Sequence, residues 1–504
     1  MRGISCRFLI FCESFLKRWK GIKAMRVCHF DLRRNLKRVI RLQLQDLSSV
    51  EMTKRPVFHR ESAHFLDRCI FFVGRRLPRL HRTKPYPSLA MTKNGQRYFS
   101  KQRSSLTYSR HCEAEAKGYS KALWQSPTYR DLYLFFKKTA FLILVAVVLS
   151  STLFAQQKNT VSATEMQAIY NEVKTPYKYG LVLVPDDDSK KMDCPSVFRK
   201  GKNWYMTYLI FDGRGYETWL AKSKDLLNWK NQGRLMSFGD STAWDANHKA
   251  GYIALQNTKW GGNYKLNKYK GKYWMSYFGG PTKGYEAGDL SIGMAYTTQD
   301  PTEPHEWQRL PQPVFTSKDA DVRWWENRKL FKSSVIWDKE KTTGHPFVMY
   351  YNANGDSAKN NLKTRWFERI GMAVSDDMLN WKRYKEEPVV HHPVGITGDA
   401  LVQKMGDTWV MFYFGAFWQD RKGAFNRFAA SKDMVNWTDW NGDNLIEPSE
   451  PYDELYAHKS FVVKHKGVVY HFYCAVNKKE QRGIAVATSK DLGQSKLNFI
   501  NTKK

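Results

Sequence analysis

Beyond residue 156, the chain repeats one pattern of apolar and polar positions five times. Each copy has a stretch of alternating apolar side chains, a short polar turn, and a second stretch rich in aromatic residues. The copies lie at 196–211, 265–280, 334–353, 401–417 and 461–476. Alternation on both sides of turns such as "RKGK", "KMGD" and "KHKG" is typical of β-hairpins. The pattern therefore predicts five antiparallel hairpins.

A second phrase follows each hairpin and ends in an acidic residue at a turn. It reads "LAKSKDLLNW" in its first copy, and "GMAVSDDMLNW" and "FAASKDMVNW" in later ones. The small and apolar residues predict a third strand, and an Asp at its end can accept hydrogen bonds from the following backbone and close the corner. We therefore assign a structural, non-catalytic role to Asp225, Asp300, Asp377, Asp433 and Asp491.

These modules predict an all-β fold, a five-bladed β-propeller. Each module supplies four strands, and the acidic corners recur about 56–77 residues apart, as the blades of a propeller do. A propeller must close, and "YKYGLVLV" (177–184) is a suitable strand to pair into the last blade. Two separate β-sandwiches are the alternative, but they would not explain the fivefold phrase. We assign the propeller domain to residues 177–495 and a linker to 157–176.

A different pattern precedes the repeats. Residues 131–156 contain two lysines, an apolar run from Thr139 to Phe154, and Ala155 before Gln156, which is the order found in a secretory signal peptide. The apolar run is shorter than the ~20 residues that span a bilayer, so a membrane anchor is the less favoured alternative. The sequence therefore predicts a secreted or periplasmic protein without stable membrane insertion after cleavage.

The net charge of +33 belongs mainly to the stretch before and within this signal. About two thirds of it lies in residues 1–150, which also hold five of the 7 cysteines. Residues 1–130 show no sustained hydrophobic period, so we interpret them as a basic extension that is not a folded domain and that reflects a wrongly extended start. A basic arm that binds nucleic acid is the alternative. For the main domain, the charge indicates no nucleic-acid partner.

Alignment of the modules on a repeated Val places charged residues at the start of four innermost strands. These residues are Asp193, Lys332, Asp399, His458 and Lys459. Since the first strand of each propeller blade lines the central channel, we expect these side chains to meet at one opening. The loops before three blades carry further acids, expected in a second ring at the same opening: Asp245, Glu326 and Asp453.

A ring of carboxylates in an aromatic pit suits the cleavage of a glycosidic bond. One carboxylic acid protonates the leaving oxygen, a second carboxylate activates water or attacks the sugar, and a third can separate their pKa values. Indole faces can pack on sugar C–H groups; the candidates are Trp244, Trp325 and Trp418. Structural roles are the alternatives: Asp399 could pair with Lys332, the loop acids could be solvated, and His458 could fill the channel.

The sequence contains no motif for a bound cofactor. It lacks a G-x-S-x-G nucleophile elbow, a phosphate-binding glycine loop, and His or Cys pairs at metal-ligand spacing. We therefore expect no cofactor; a channel-bound cation such as calcium, held by carboxylates and His, is the alternative.

The phrases "DCPSVFRKGKNWYMTY" and "IGMAVSDDMLNW" resemble the five-bladed propeller glycosidases of glycoside hydrolase families 43, 32, 117 and 130. The resemblance covers roughly residues 177–495 and implies hydrolysis of a glycosidic bond in a poly- or oligosaccharide, with Asp193 as general base. The sequence departs from family 43 where Lys332 replaces an Asp, and where Asp399 stands nearest to the usual Glu. His458 is similar to the acid of family 117, and the basic residues suit the phosphate site of family 130.

From these observations we assign Asp193 as base, Asp399 or Glu326 as acid, and Asp245 as the partner that sets pKa or orientation. The expected substrate-binding residues are His458, Lys332, Lys459, Trp244, Trp325 and Trp418. The basic residues among them suggest an acidic sugar. A glycoside phosphorylase using inorganic phosphate and a non-catalytic carbohydrate-binding propeller are the alternative functions.

Amino-terminal sequencing of the naturally produced protein tests the assignment of the leader. We expect the mature chain to begin at Gln156, because signal peptidases cleave after a small residue such as Ala155. Recovery of any peptide from residues 1–130 would contradict this interpretation.

Overall fold

The computed structural model describes residues 160–355, 367–421 and 423–500, together with Leu134, Lys138 and Thr139. The predicted basic extension and most of the predicted signal peptide lie outside these residues. Strands dominate the described part of the chain, which confirms the prediction of an all-β protein. Within that part, no helix combines the length and the apolar character needed to cross a membrane.

Helix α1 (Ala163–Val173) forms inside the segment that we expected to be a linker. Ser162 caps it by accepting a hydrogen bond from the Glu165 amide N–H at 3.2 Å, as Ser does at many helix starts. Met166, Ile169 and Val173 are three and four residues apart, so they share one face of the helix. All three are buried in an apolar cluster with strand residues, so this part of the segment is packed on the sheets.

Twenty strands follow α1, beginning with β1 (Tyr177–Leu183). The first group of strands is β2 (Lys191–Lys200), β3 (Asn203–Phe211), β4 (Tyr216–Ser223) and β5 (Trp229–Met236). The second is β6 (His248–Ile253), β7 (Tyr273–Gly280), β8 (Ser291–Thr297) and β9 (Gln308–Arg309). The third is β10 (Lys329–Trp337), β11 (Phe347–Asn354), β12 (Phe367–Ser375) and β13 (Trp381–Arg383).

The fourth group is β14 (Gly395–Met405), β15 (Thr408–Ala416), β16 (Ala424–Ser431) and β17 (Trp437–Asp439). The fifth is β18 (Tyr456–His465), β19 (Val468–Val476) and β20 (Arg482–Thr488), completed by β1. Neighbours within each group pair antiparallel, and a short parallel pairing of β12 with β14 joins the third and fourth groups into one sheet.

Strand β1 pairs with β20, from Tyr177 opposite Thr488 to Leu183 opposite Ile484. This confirms the prediction that "YKYGLVLV" completes the last group. The hairpin predicted at 265–280 is wrong in its first strand, because β7 pairs with β6 instead. Residues 265–272 form only isolated bridges, since they belong to a long loop that connects β6 with β7.

The first strand of four groups carries a register shift near its start. The shifts lie between Asp193 and Ser196, Leu330 and Ser333, Gly398 and Leu401, and His458 and Phe461. At three of them a non-glycine residue has positive φ: Cys194 at 49°, Asp399 at 59° and Lys459 at 63°. Bulges re-aim side chains, and left-handed backbone at non-glycine residues concentrates at functional sites. The shifts therefore mark one end of the sheets as the place to look for a site.

The predicted acidic corners have one repeated hydrogen-bond pattern. The carboxylate of Asp377 accepts from the backbone N–H of Leu379 at 2.9 Å and of Asn380 at 2.8 Å, and from the Asn380 amide at 2.7 Å. Asp225 and Asp433 repeat these contacts. The structural role predicted for these three acids is thus confirmed.

The Asp377 corner makes a testable contribution to stability. We expect Asp377→Ala to lower the free energy of unfolding by about 1–2 kcal/mol, the usual cost of removing a side chain that caps backbone N–H groups. Urea denaturation measures it. Asp376→Ala is the matched control, because the neighbouring carboxylate is 73% exposed and should contribute less than ~0.5 kcal/mol. Equal losses for the two variants would contradict the assignment.

Candidate active site

A cavity of about 280 Å³ lies at the end of the sheets where the register shifts occur. Its charged lining residues are Asp193, Glu286, Lys332, Glu368, Asp399, Lys459 and Arg482, with His458 beside them. Its aromatic lining residues are Tyr216, Tyr252, Phe278, Tyr285, Phe331, Phe414, Phe417 and Tyr456. We call this space the central cavity. The structure therefore brings together all five charged residues that were predicted to start the innermost strands.

Asp193 is buried at the wall of the central cavity and is held by two cations. Its Oδ2 lies 2.7 Å from Lys459 Nζ and 3.4 Å from Arg482 Nη1, while Oδ1 accepts the Cys194 N–H at 3.0 Å. Burial alone would raise the pKa of this carboxyl, but the two cations outweigh it and hold the pKa well below its usual range. Asp193 is therefore ionised, and both of its oxygens are engaged.

Asp399 and Lys332 form a looser pair across the same cavity. Lys332 Nζ lies 3.7 Å from Asp399 Oδ2, and both side chains are about 5% exposed or less. The thiol of Cys194 lies 3.7 Å from the same oxygen. The pairing that was considered as an alternative for these two residues is thus observed, although its distance is longer than that of a hydrogen bond.

His458 is positioned as a neutral group. Its Nδ1 lies 3.2 Å from the Cys474 carbonyl oxygen, and burial, followed by the charge of Lys459, lowers its pKa to about 3. An imidazole that stays neutral across the physiological range cannot hold a proton ready for a leaving group. This disfavours the role of acid that the resemblance suggested for His458.

Asp193, His458 and Cys474 place potential ligand atoms within 4.8 Å of one another. Calcium prefers six to eight oxygen ligands, which this mixed set does not supply. The carboxylate is also bonded to Lys459 at 2.7 Å, so a cation would have to displace an ammonium group. The donor set therefore does not fit the channel-bound calcium that was considered from the sequence.

Two carboxylates of the central cavity, Glu286 and Glu368, were missed by the sequence reasoning. Glu368 starts β12, where its carboxylate accepts a hydrogen bond from the Asn352 amide. Burial, and then the nearby charge of Glu286, raises the pKa of Glu368 to about 8. At neutral pH this carboxyl group therefore carries its proton, although it lies beside other acids.

Glu286 lies in the loop between β7 and β8. Lys329 Nζ donates to the Glu286 carbonyl oxygen at 2.6 Å, and Arg482 Nη1 donates to the hydroxyl of the preceding Tyr285 at 2.9 Å. These contacts hold Glu286 in a left-handed conformation with φ 48°. Burial raises the pKa of the carboxyl, while the charges of Lys459 and Arg482 oppose that rise.

A sequence signal for these residues exists in the topology of an antiparallel group. The third strand starts at the end of the sheet where the first strand starts, because the chain reverses twice. Glu368 and Arg482 occupy the first two positions of β12 and β20. Acids and bases at the start of third strands should therefore have been considered together with those on first strands.

The expected second ring of acids does not reach the central cavity. Asp245 accepts from Tyr277 Oη at 2.8 Å and pairs with Arg309. Glu326 accepts from Tyr351 Oη at 2.5 Å and from Arg383 Nε at 2.6 Å. The prediction of Asp245 and Glu326 as cavity residues is corrected here, because both carboxylates are buried and bonded within their own groups of strands.

Asp453 repeats this arrangement with Tyr473 and Lys178. In each case the carboxylate comes from the loop before a first strand, the Tyr from the second strand, and the cation from the fourth strand. We call this arrangement the acid–tyrosine–cation clamp. It ties the loop to both strands, so the acids on these loops have a structural function.

The three predicted tryptophans also lie outside the lining of the central cavity. Trp325 stacks on Tyr351, and Trp244 stacks on Tyr277, so both pack beside the clamps. Trp418 stacks on His392 with ring centroids 3.9 Å apart. The prediction of these indoles as substrate platforms is corrected, because each packs against residues of its own group of strands.

Comparison with solved structures finds close relatives for the main part of the chain. A structure named "Glycoside hydrolase" is 52% identical, covers 68% of this chain and 100% of that chain, and superposes with a TM-score of 0.66. A second, named as a complex of BT0996 and RGII, is 53% identical with the same coverage and a TM-score of 0.66. No protein-family model matches the chain, and a comparison with curated proteins finds no match.

The clamp of Glu326 yields a prediction that separates structure from chemistry. We expect Arg383→Met to lower the free energy of unfolding by about 3–5 kcal/mol, because it leaves a buried carboxylate unpaired. Glu326→Gln should cost less, since the amide can still bond Tyr351, and the folded variant should keep the turnover rate of the natural protein. Urea denaturation and kcat measurements test both variants. A Glu326→Gln protein of normal stability that has lost turnover would restore Glu326 as the catalytic acid.

Proposed function

Because this chain belongs to the glycoside hydrolases, as its resemblance to the propeller glycosidases indicated, we propose that it cleaves an oligo- or polysaccharide in the central cavity. Glu368 is the proton donor and Glu286 the carboxylate that works with it. One observation carries the proposal. Both carboxyl groups line a single cavity with raised pKa values, and among the described residues no cationic side chain bonds to either.

The five groups of strands are, in this proposal, the blades of one closed five-bladed propeller. The contacts between first strands support this arrangement, since β10 contacts β6 and β14, β14 contacts β18, and β18 contacts β2. Pairing of β1 with β20 would then close the ring. Such closure explains how residues far apart in the chain line one cavity.

Glu368 has the properties of a general acid. A catalytic acid needs a pKa near the working pH, so that it holds a proton and can release it. The raised pKa of about 8 meets this need and follows from burial among other acids. A glycosidic oxygen placed beside Glu368 would receive its proton as the bond to the sugar breaks.

Glu286 is the partner that this acid needs. Ionised Glu286 would either take a proton from the attacking water or attack the sugar carbon itself, which are the two established routes of glycoside hydrolysis. Lys459 and Arg482 favour its ionised form through their charges. Two carboxyl groups whose surroundings favour different protonation states are the usual basis for separate acid and base roles.

The role of base assigned to Asp193 from the sequence changes in this proposal. A base must reach the proton that it removes, whereas both oxygens of Asp193 are already engaged by Lys459, Arg482 and the Cys194 N–H. We propose that Asp193 holds Lys459 and Arg482 in place, and that these cations set the charge on Glu286. Asp193 is then a positioning residue.

The alternatives receive less support from the site. A phosphorylase needs cations that are free to bind phosphate, but Lys459 and Arg482 both lie against Asp193. A non-catalytic binding protein does not need an acid with a pKa near 8. The predicted signal peptide at 131–156 supports our further proposal that the enzyme acts outside the cytoplasm. RGII, which is named with one relative, is the first substrate to test.

The pH dependence of turnover tests Glu368. Activity should fall as the pH rises through about 8, because the acid must carry a proton to donate it. Glu368→Gln should lower kcat by about 10²–10⁴-fold and abolish that descending limb. Initial rates on RGII and on an array of neutral and acidic glycosides, measured between pH 4 and pH 10, provide the readout.

Chemical rescue and a matched control complete this test. Glu286→Ala should be inactive and regain turnover with added azide, which takes the place of the missing carboxylate. Glu306→Gln is the control, since Glu306 also has a raised pKa but lies outside the lining of the central cavity. Azide rescue of Asp193→Ala instead of Glu286→Ala would return the role of base or nucleophile to Asp193.

A further inference from the structure

Lys332 is a buried cation that lines the central cavity without a hydrogen-bond partner among the described residues. Its Nζ lies 3.7 Å from Asp399 Oδ2, which is beyond the ~2.7–3.2 Å of an N–H···O bond. On another side, Nζ lies 5.5 Å from the centroid of the Tyr252 ring. An ammonium group has three donors, and leaving all of them unbonded in a buried place is unfavourable. A ligand oxygen in the cavity would satisfy them.

Asp399 offers the complementary function next to this donor. In the described part of the chain, the only hydrogen bond to its carboxylate comes from the Cys194 thiol, a weak donor, at 3.7 Å. The backbone of Asp399 has φ 59°, at the register shift that turns the start of β14. The side chain thus presents oxygens with free lone pairs beside the ammonium of Lys332.

Charge decides which ligand fits this pair. Lys459 and Arg482 are matched by Asp193, and Lys332 is matched by Asp399. With Glu368 protonated, three cations face three ionised carboxylates, so the cavity has no surplus positive charge. An anionic group bonded to Lys332 would also lie beside the Asp399 carboxylate and be repelled by it. The hypothesis of an acidic sugar therefore loses its physical basis.

We propose that Lys332 and Asp399 together bind two neighbouring hydroxyl groups of a neutral sugar. Lys332 Nζ donates to the oxygen of one hydroxyl, and Asp399 accepts the hydrogen of the other. A vicinal diol presents an acceptor and a donor side by side, as this pair of residues requires. The inference rests on the proposed function, because it treats the central cavity as the place where the sugar is held. It makes the pair a determinant of specificity.

Direct binding tests the pair independently of turnover. Isothermal titration calorimetry on Glu368→Gln protein, which should not consume ligand, would use free neutral pentoses and hexoses, glucuronic acid, galacturonic acid and inorganic phosphate. We expect at least one neutral sugar to bind, and the uronic acids and phosphate not to bind. Adding Lys332→Met should raise the Kd of that sugar by about 10- to 100-fold, the effect of one hydrogen bond to a charged group.

Deoxy sugars identify the hydroxyl groups. Removing the hydroxyl that Lys332 contacts should weaken binding by a similar factor, and Lys332→Met should then have little further effect, because the same interaction cannot be lost twice. Asp399→Asn should show this behaviour with the neighbouring deoxy position. Lys249→Met is the control, since Lys249 is also buried and unbonded within the described residues but does not line the cavity.

The outcomes separate this inference from the proposed function. Unchanged binding of neutral sugars by folded Lys332→Met protein, binding of uronic acids or phosphate alone, or no binding of any neutral sugar would each overturn the inference. A protein that binds neutral sugars through Lys332 but hydrolyses no glycoside would refute the proposed function and leave the inference standing. Thermal unfolding checks that each variant is folded.

Discussion

The pairing of β1 with β20 is the constraint on which the rest of the structure depends. It joins strands from opposite ends of the described chain, Tyr177–Leu183 and Arg482–Thr488. Arg482 starts β20, where it contacts both Asp193 on β2 and Tyr285 in the loop that carries Glu286. If the last group of strands lost its fourth member, the contact between these three regions would lose its support. The geometry of the site is thus a property of the whole chain.

The central cavity combines many charges with little net charge. Each cation has a carboxylate within 3.7 Å, so the cost of burying it is partly offset by its partner. What remains is a pair of carboxyl groups whose protonation depends on burial and on one another. Such a site can favour a protonated acid at neutral pH because the surrounding ions are already balanced. This balance also explains why basic residues in a sequence are a poor guide to the charge of a ligand.

Residues on the repeated first strands could be predicted from the sequence because the repeat itself aligns them. Asp193, Lys332 and Asp399 share one position relative to a Val, and the structure places them at one cavity. Glu286 could not be found in this way, because it lies in a loop of the second group that has no counterpart of the same sequence elsewhere. Its position depends on contacts with Lys329 and Arg482, which are distant in the chain.

The errors have a common physical origin. Asp245 and Glu326 were expected near the cavity because a Trp and an acid recur before first strands, and that recurrence is real. Its cause is the clamp with a Tyr and a cation of the same group of strands, which the spacing of acids alone does not reveal. Repetition of a polar residue among structural repeats therefore indicates a shared packing requirement, whereas catalytic groups such as Glu286 and Glu368 occur in single copies.

Helix α1 has a consequence for traffic at the site. Its Glu165 contacts Thr408 at the start of β15, and its Glu172 contacts Lys464 near the end of β18. Both contacts lie at the hairpin turns, and these turns are at the end of the sheets away from the central cavity. The helix therefore lies on the rear face of the enzyme. A long polysaccharide can approach the mouth, and a released sugar can leave it, without meeting the helix.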